Sequence, residues 1–319
     1  MAKADRIIAL EEHFLIPSVR ERYTGYHAIR AHQPVEKLLD LGALRLKDMD
    51  AAGIDLQVLS LVQPGAQAFD PAAGAEVARQ SNDALHEAVR AHSDRFAGFA
   101  AIPTSDPKAA ADELERTVTR YGFKGAMING MTDGAFLDDK RFWPILERAQ
   151  ALDVPLYLHP AIPDPRVIEA YYAGILKGDY PVLMGAVWGF GVETATHAIR
   201  LVLGGVFDAF PKLDIILGHL GETIPFALWR LHWTVNHMTG RTDFADIFRD
   251  RFHITTSGNF SQPALACTIA EMGIDRVLFS VDWPYNSNVE GVKFVNAARL
   301  STEERQKILS GNAARLLRL

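Results

Sequence analysis

Leu213-Asp214-Ile215-Ile216-Leu217-Gly218-His219-Leu220-Gly221-Glu222-Thr223-Ile224-Pro225 is the stretch on which the fold is decided. Leu213–Leu217 is close to continuously apolar, as suits a parallel strand buried on both faces. Glycines flank His219 and let the backbone turn tightly. Glu222 then precedes Thr223 and Pro225, where the next helix is expected to start. A buried strand, a short polar turn and a helix follow one another within thirteen residues.

Outward from this stretch the same unit recurs. Eight apolar runs stand along the chain: Arg6–Leu10, Leu56–Leu61, Phe96–Ile102, Gly125–Ile128, Pro155–Leu158, Leu213–Leu217, Phe252–Thr256 and Val277–Val281. Amphipathic stretches between them read as helices, among them Gly74–His92, Lys108–Tyr121, Arg141–Leu152, Thr194–Leu203 and Gln262–Met272. In Lys108–Tyr121, Ala111, Leu114 and Val118 recur at helical spacing with charges between them. A closing helix, Thr302–Leu309, starts after Ser301, an N-cap answered by Glu304. This alternation, with no linker, predicts an α/β fold: one (β/α)8 TIM barrel domain over residues 1–319. The rival is a doubly wound open sheet, but no G-x-G-x-x-G follows the first strand, which removes its dinucleotide-binding version.

Composition agrees. The 319 residues are 48% hydrophobic and 23% charged, with a net charge of −6. That is the profile of a soluble globular protein, and with no basic run it speaks against nucleic-acid binding. No segment approaches the ~20 apolar residues of a membrane span. One cysteine, Cys267, allows no internal disulfide. With no signal-type stretch at Met1–Arg6, a cytoplasmic protein is expected. Three connections are long: Phe14–Ala52 (a lid-like loop at about 14–52), Pro160–Glu193 and Trp283–Leu300. All follow strands, so all belong on the C-terminal face where barrel active sites form.

Ionisable residues gather at the predicted strand ends. In Ala9-Leu10-Glu11-Glu12-His13-Phe14, residues two apart point the same way, so Glu11 and His13 share a face and Glu12 turns from it. A carboxylate and an imidazole so placed can share one divalent cation. His159 ends Leu156-Tyr157-Leu158-His159-Pro160, His219 follows Leu217-Gly218, and Asp282 ends Ser280-Val281-Asp282-Trp283-Pro284. Each alone has a structural reading: a solvated loop, a core histidine, a salt-bridged aspartate, or, for Glu222, a carboxylate at a helix start. Together they lie on four strand ends that converge on one barrel mouth. His86, His92, His197, His232 and His237 fall in predicted helices, and His27 and His32 in the first loop, so none of these is assigned to a metal.

The markers Leu10-Glu11-Glu12-His13-Phe14, Leu158-His159-Pro160, Gly218-His219-Leu220-Gly221-Glu222 and Ser280-Val281-Asp282-Trp283-Pro284 bring in a family. Over essentially its whole length the chain resembles the amidohydrolase-related decarboxylases, which include gamma-resorcylate, 2,3-dihydroxybenzoate, 5-carboxyvanillate and aminocarboxymuconate semialdehyde decarboxylases. Phe207–Leu213, leading into the sixth strand, is similar too. The resemblance implies a barrel of the metal-dependent hydrolase type, with Glu11, His13, His159 and Asp282 holding one zinc or manganese ion. Glu11 stands where the family often has histidine, as in the dihydroxybenzoate branch. Asn129 stands where binuclear relatives carry lysine or glutamate, which implies one metal.

By the same likeness His219, oriented by Glu222, is an acid/base or substrate contact, and Arg230 contacts substrate. The implied substrate is a small ortho-hydroxy aromatic carboxylate. Protonation of the carboxyl-bearing carbon would precede loss of CO2, with Asp282 as donor and His219 as runner-up. Phe14, Tyr23, Tyr26, Trp188, Phe190 and Tyr285 are candidates for a ring pocket; Phe14, Phe190 and Tyr285 are set beside Arg230 as the substrate-binding group. A homodimer or homotetramer is implied. The same ligands could instead activate water against a lactone or amide, and a barrel could also bind a metal or small molecule without catalysis.

Overall fold

The computed structural model describes residues 6–31, 34–174 and 182–319. His32 and residues 175–181 of the Pro160–Glu193 connection lie outside them. The strands are β1 (Ile8–Phe14), β2 (Leu56–Leu61), β3 (Phe96–Gly98), β4 (Ala100–Ala101), β5 (Ala126–Asn129), β6 (Leu156–His159), β7 (Ile215–Leu217), β8 (Phe252–Thr255) and β9 (Val277–Leu278). Neighbours pair in parallel in chain order, β1 to β3 in one arc and β4 to β9 in the other. Every strand residue is buried, so the apolar runs reported strands covered on both sides.

The arcs belong to one α/β barrel wall. The expected strand Phe96–Ile102 is divided at Phe99, whose amide donates to Leu59 O at 2.9 Å, while that of Ala100 donates to Gly125 O at 2.8 Å. The chain thus changes neighbour in mid-strand. At the other junction no strand ladder joins β9 to β1 among the described residues. There the amide of His13 donates to Trp283 O at 2.7 Å, and that of Glu11 to Ser280 Oγ at 2.7 Å.

Strand alternation sorts the core. Ile8, Leu10, Leu56, Val58, Phe99, Tyr157, Ile216 and Leu278 pack together inside the barrel, with Ala313 and Leu317 of the last helix beneath them. Ala9, Leu59, Ile128, Leu158, Ile215 and Leu217 face outward onto the helices. Among the described residues no helix is long and apolar enough to cross a membrane.

Two expectations need correction. The first strand does not end at Leu10; it runs on through Phe14, so Glu11, Glu12 and His13 are inside a strand. The first connection is no open loop either. It carries helices Pro17–Arg20, Gly25–Ala31, Val35–Leu39 and Ala43–Ala52. The Asp40 carboxylate accepts from the amides of Gly42 and Arg45 at the start of the last of these, and Gly53 ends it at φ 72°. Arg45 is wholly buried at a position where an amphipathic pattern needs an apolar residue, which hid this helix. The Ser301–Glu304 capping box is present as expected.

Candidate metal centre

Strand β1 has a register shift between Ala9 and Glu12 against β2. This bulge resets the alternation. Ile8 and Leu10 face the interior, and beyond the shift it is Glu11 and His13 that face the mouth. His159 ends β6, and Asp282 lies four residues past the end of β9, at φ 71°. Ligand atoms of Glu11, His13, His159 and Asp282 lie within 4.8 Å of one another. His13 Nε2 is 3.2 Å from Asp282 Oδ1, and His159 Nε2 is 3.3 Å from Glu11 Oε1.

Each oxygen of Glu11 has its own setting. Oε2 accepts from the hydroxyls of Tyr157 and Ser257, and Tyr157 Oη also lies 2.8 Å from Thr255 Oγ1. Oε1 is buried and makes no hydrogen bond of ordinary geometry, and the same holds for His13 Nε2. Nδ1 of His13 is 3.2 Å from Ser60 Oγ, a partner that leaves Nε2 turned to the cluster. Gly218 makes the packing possible. A Cβ there would stand 2.7 Å from Glu11 Oε2 and 3.2 Å from Ser257 Oγ.

His219 sits in an unusual loop: residues 219 through 223 all have positive φ. Four of these five are not glycine, and such backbone is disfavoured and concentrates at functional sites. Nδ1 of His219 is 2.6 Å from Glu222 Oε1; its Nε2 is 3.7 Å from Glu11 Oε1 and 4.0 Å from Asp282 Oδ2. A proton on either nitrogen therefore has an anionic neighbour. Burial disfavours the imidazolium, but Glu222 and Glu11 outweigh it and hold the His219 pKa well above the usual range. Burial likewise opposes the charge of Asp282, yet His13 and His219 overcome it and keep that carboxyl well below its usual range. Burial pushes the His13 pKa down, only partly offset by Asp282.

The other residues expected at the site are scattered. Phe190 is buried and lines, with Trp188, His219, Glu222 and Gly258, a cavity of about 350 Å³ beside the cluster. The ring of Tyr285 lies 6.1 Å from that of His13. Phe14 is 1% exposed and packed in the core between strands and helices, so it serves packing. Tyr23 is buried against Phe69. Arg230 is exposed on helix Ile224–Thr239 and lies outside that cavity. His197 Nε2 accepts from the Leu137 amide, and His253 lies 3.5 Å from Asp214.

Tyr157, Ser257 and Ser60 were not singled out in the sequence. Tyr157 had a signal, since it stands two residues before His159 in one strand and shares its face. Glu193, in helix Gly189–Leu203, is also new. Burial, countered only in part by the Met131 backbone amide, pushes its carboxyl up to about 8. The folded state therefore holds a proton that the unfolded chain releases near 4.5. Stability falls as pH rises from there through about 8, by at most about 1.4 kcal/mol per pH unit. Glu193→Gln removes this slope, so its Tm is expected to gain on wild type steadily between about pH 5 and pH 8. A difference flat over that range contradicts a buried neutral carboxyl.

Two carboxylates and two imidazoles, with orphaned buried atoms on Glu11 and His13 turned to a common point, fit one divalent cation. Comparison with known proteins agrees. A family profile described as amidohydrolase matches residues 26–319. Gamma-resorcylate decarboxylase of Rhizobium radiobacter is 41% identical over 326 aligned positions, covering 98% of each chain. A dihydroxybenzoic acid decarboxylase of Polaromonas sp. JS666, solved with manganese and 2-nitroresorcinol, superposes with a TM-score of 0.90 at 38% identity, covering 99% of this chain and 97% of that one. A 2,6-dihydroxybenzoate decarboxylase solved with 2,6-dihydroxybenzoate gives 0.89 at 39% identity, covering 99% and 100%.

Proposed function

We propose, from the premise that this chain belongs to the amidohydrolase family and is a metal-dependent carboxy-lyase of aromatic carboxylates, that its substrate is an ortho-hydroxybenzoate of the 2,6-dihydroxybenzoate class. The observation that carries the reading is one mouth holding both a four-ligand cluster and a Glu222–His219–Asp282 proton path. The names of the similar proteins support the substrate class.

Glu11, His13, His159 and Asp282 would hold the cation, manganese or zinc. Bound there, it would supply Lewis-acid charge for the substrate carboxylate and the oxygen ortho to it. The residues then manage one proton. Asp282, with His219 beside it, delivers it to the ring carbon that bears the carboxylate. The bond from that carbon to the carboxylate then breaks, CO2 leaves, and the electron pair returns to the ring. Adding the proton first avoids a bare aryl anion. An Asp282 that rests as the anion needs a supplier, and His219 fills that part, 4.0 Å away, with Glu222 stabilising its charge. The cavity beside Phe190 and Trp188 gives the ring an apolar wall, and Tyr285 stands on the His13 side.

Turnover is expected with 2,6-dihydroxybenzoate and absent with 3,5-dihydroxybenzoate, which has no ortho oxygen. Equal rates for the two would remove the substrate class.

We further read the whole chain as one barrel domain, placed in the cytoplasm on its lone Cys267, and as a homodimer or homotetramer. Phe226, Trp229 and Trp233 form an exposed stripe on helix Ile224–Thr239, which supports assembly. Arg230 lies on the exposed side of that helix, so a substrate contact by it requires a second copy to receive it. A monomer in sedimentation equilibrium would count against this part.

A further inference from the structure

Glu12 sits between two residues of the metal cluster and belongs to neither side of it. It is wholly buried. Its Oε1 accepts from the amide of Val281 at 3.0 Å, and its Oε2 from that of Trp283 at 3.0 Å. Those two amides bracket Asp282. The residue between them is held at φ 71°, in the left-handed region that non-glycine residues adopt sparingly. The bonds also fall where the barrel wall has no strand ladder among the described residues, between β9 and β1. One carboxylate therefore joins the strand that carries Glu11 and His13 to the turn that carries Asp282.

A second layer backs this joint. Arg45 is wholly buried. It donates to the carbonyl of His13, to Gln57 Oε1 at 3.2 Å and to Asp40 O at 3.2 Å. Its guanidinium lies 4.0 Å from the centre of a Trp283 ring, and Trp283 Nε1 donates to Asp48 Oδ2 at 3.1 Å. Arg45 and Asp48 both come from helix Ala43–Ala52. The first connection, expected to be a lid, thus supplies a buttress at this point.

We propose that Glu12 is a positioning residue: by reading the amides on both sides of Asp282 at once it fixes the left-handed turn that aims Asp282 at the cluster, and Arg45 with Trp283 holds the joint from outside. The inference rests on Asp282 being a metal ligand and proton carrier. The place asks for two acceptor oxygens on one side chain of this length. Glutamine has one acceptor oxygen and would set its NH2 against a backbone N–H. Aspartate keeps both oxygens but is one methylene short of reaching both amides.

The test compares full-length wild type, Glu12→Gln and Glu12→Asp, each freed of metal and titrated with Mn2+. Free Mn2+ is read by its electron paramagnetic resonance signal, and kcat and KM are measured at saturating Mn2+. Both variants are expected to bind Mn2+ about 10- to 100-fold more weakly, as for the loss of a hydrogen-bond partner behind a ligand. In both, kcat is expected to fall with KM little changed, and aspartate is expected not to rescue. Wild-type affinity and kcat in folded Glu12→Gln would overturn the proposal, as would full rescue by aspartate, since reach to both amides would then not matter. If Glu12→Gln does not fold, Trp283→Phe serves. It keeps the amide that Glu12 reads and removes the indole N–H, and unchanged Mn2+ affinity there would overturn the proposal. Failure of the premise looks different: Asp282→Asn would then bind Mn2+ and turn over as wild type does.

Discussion

Replacing Asp282 by asparagine is expected to lower kcat by about 100- to 10,000-fold, the range that a positioned general acid contributes. The change keeps the shape and one oxygen. It removes the group that can carry a proton between His219 and the ring. Asp282 Oδ1 lies 3.2 Å from His13 Nε2, while Oδ2 accepts from Asn286 Nδ2 at 3.2 Å. An amide can keep the contact to Asn286 through its oxygen, but its NH2 would then face the metal side. Some loss of metal affinity is expected as well, so kinetics belong at saturating Mn2+ with the metal content measured alongside. A variant that stays within tenfold of wild type, fully loaded, would remove Asp282 as the donor and put His219 in its place.

Gly218→Ala is expected to weaken Mn2+ binding about 10- to 100-fold. The backbone there is not left-handed, so conformational freedom is not what glycine supplies. Space is. The added Cβ would stand 2.7 Å from Glu11 Oε2 and 3.4 Å from Tyr157 Oη. Glu11 must shift or surrender the two hydroxyls that fix Oε2, and Oε1 then leaves the cluster. Overpacking of this kind also costs stability, about 1–3 kcal/mol, so the metal-free variant is expected to melt earlier than metal-free wild type. Calorimetric titration with Mn2+ checks the affinity; an unchanged value would show that the carboxylate needs no such anchoring.

Much of this was legible in the chain. Apolar runs marked the strands because parallel strands buried on both faces are apolar throughout. Glu11, His13, His159, His219 and Asp282 stood out because each breaks such a run at its end. The spacing of Glu11 and His13 gave their common face, but not the bulge that turns that face to the mouth, since a register shift depends on the partner strand. Gly218 read as a turn glycine, whereas its use is the room it leaves for Glu11, which comes from more than 200 residues away in the chain. Ser257 and Ser60 carry no local pattern at all. Arg45 concealed a helix by being buried and charged at once. Arg230 could be placed on a helix but not on its exposed side. In each case periodicity reported local geometry, and the missing knowledge concerned a partner distant in sequence.

One metal ion per chain as the requirement for decarboxylation is tested by stripping the protein of metal, adding Mn2+ in steps, and following CO2 release from 2,6-dihydroxybenzoate. No release is expected from the stripped protein, then a rise proportional to added metal and a plateau at one ion per chain. Release that ignores the metal, or full Mn2+ binding with no CO2 release, would contradict a one-metal decarboxylase.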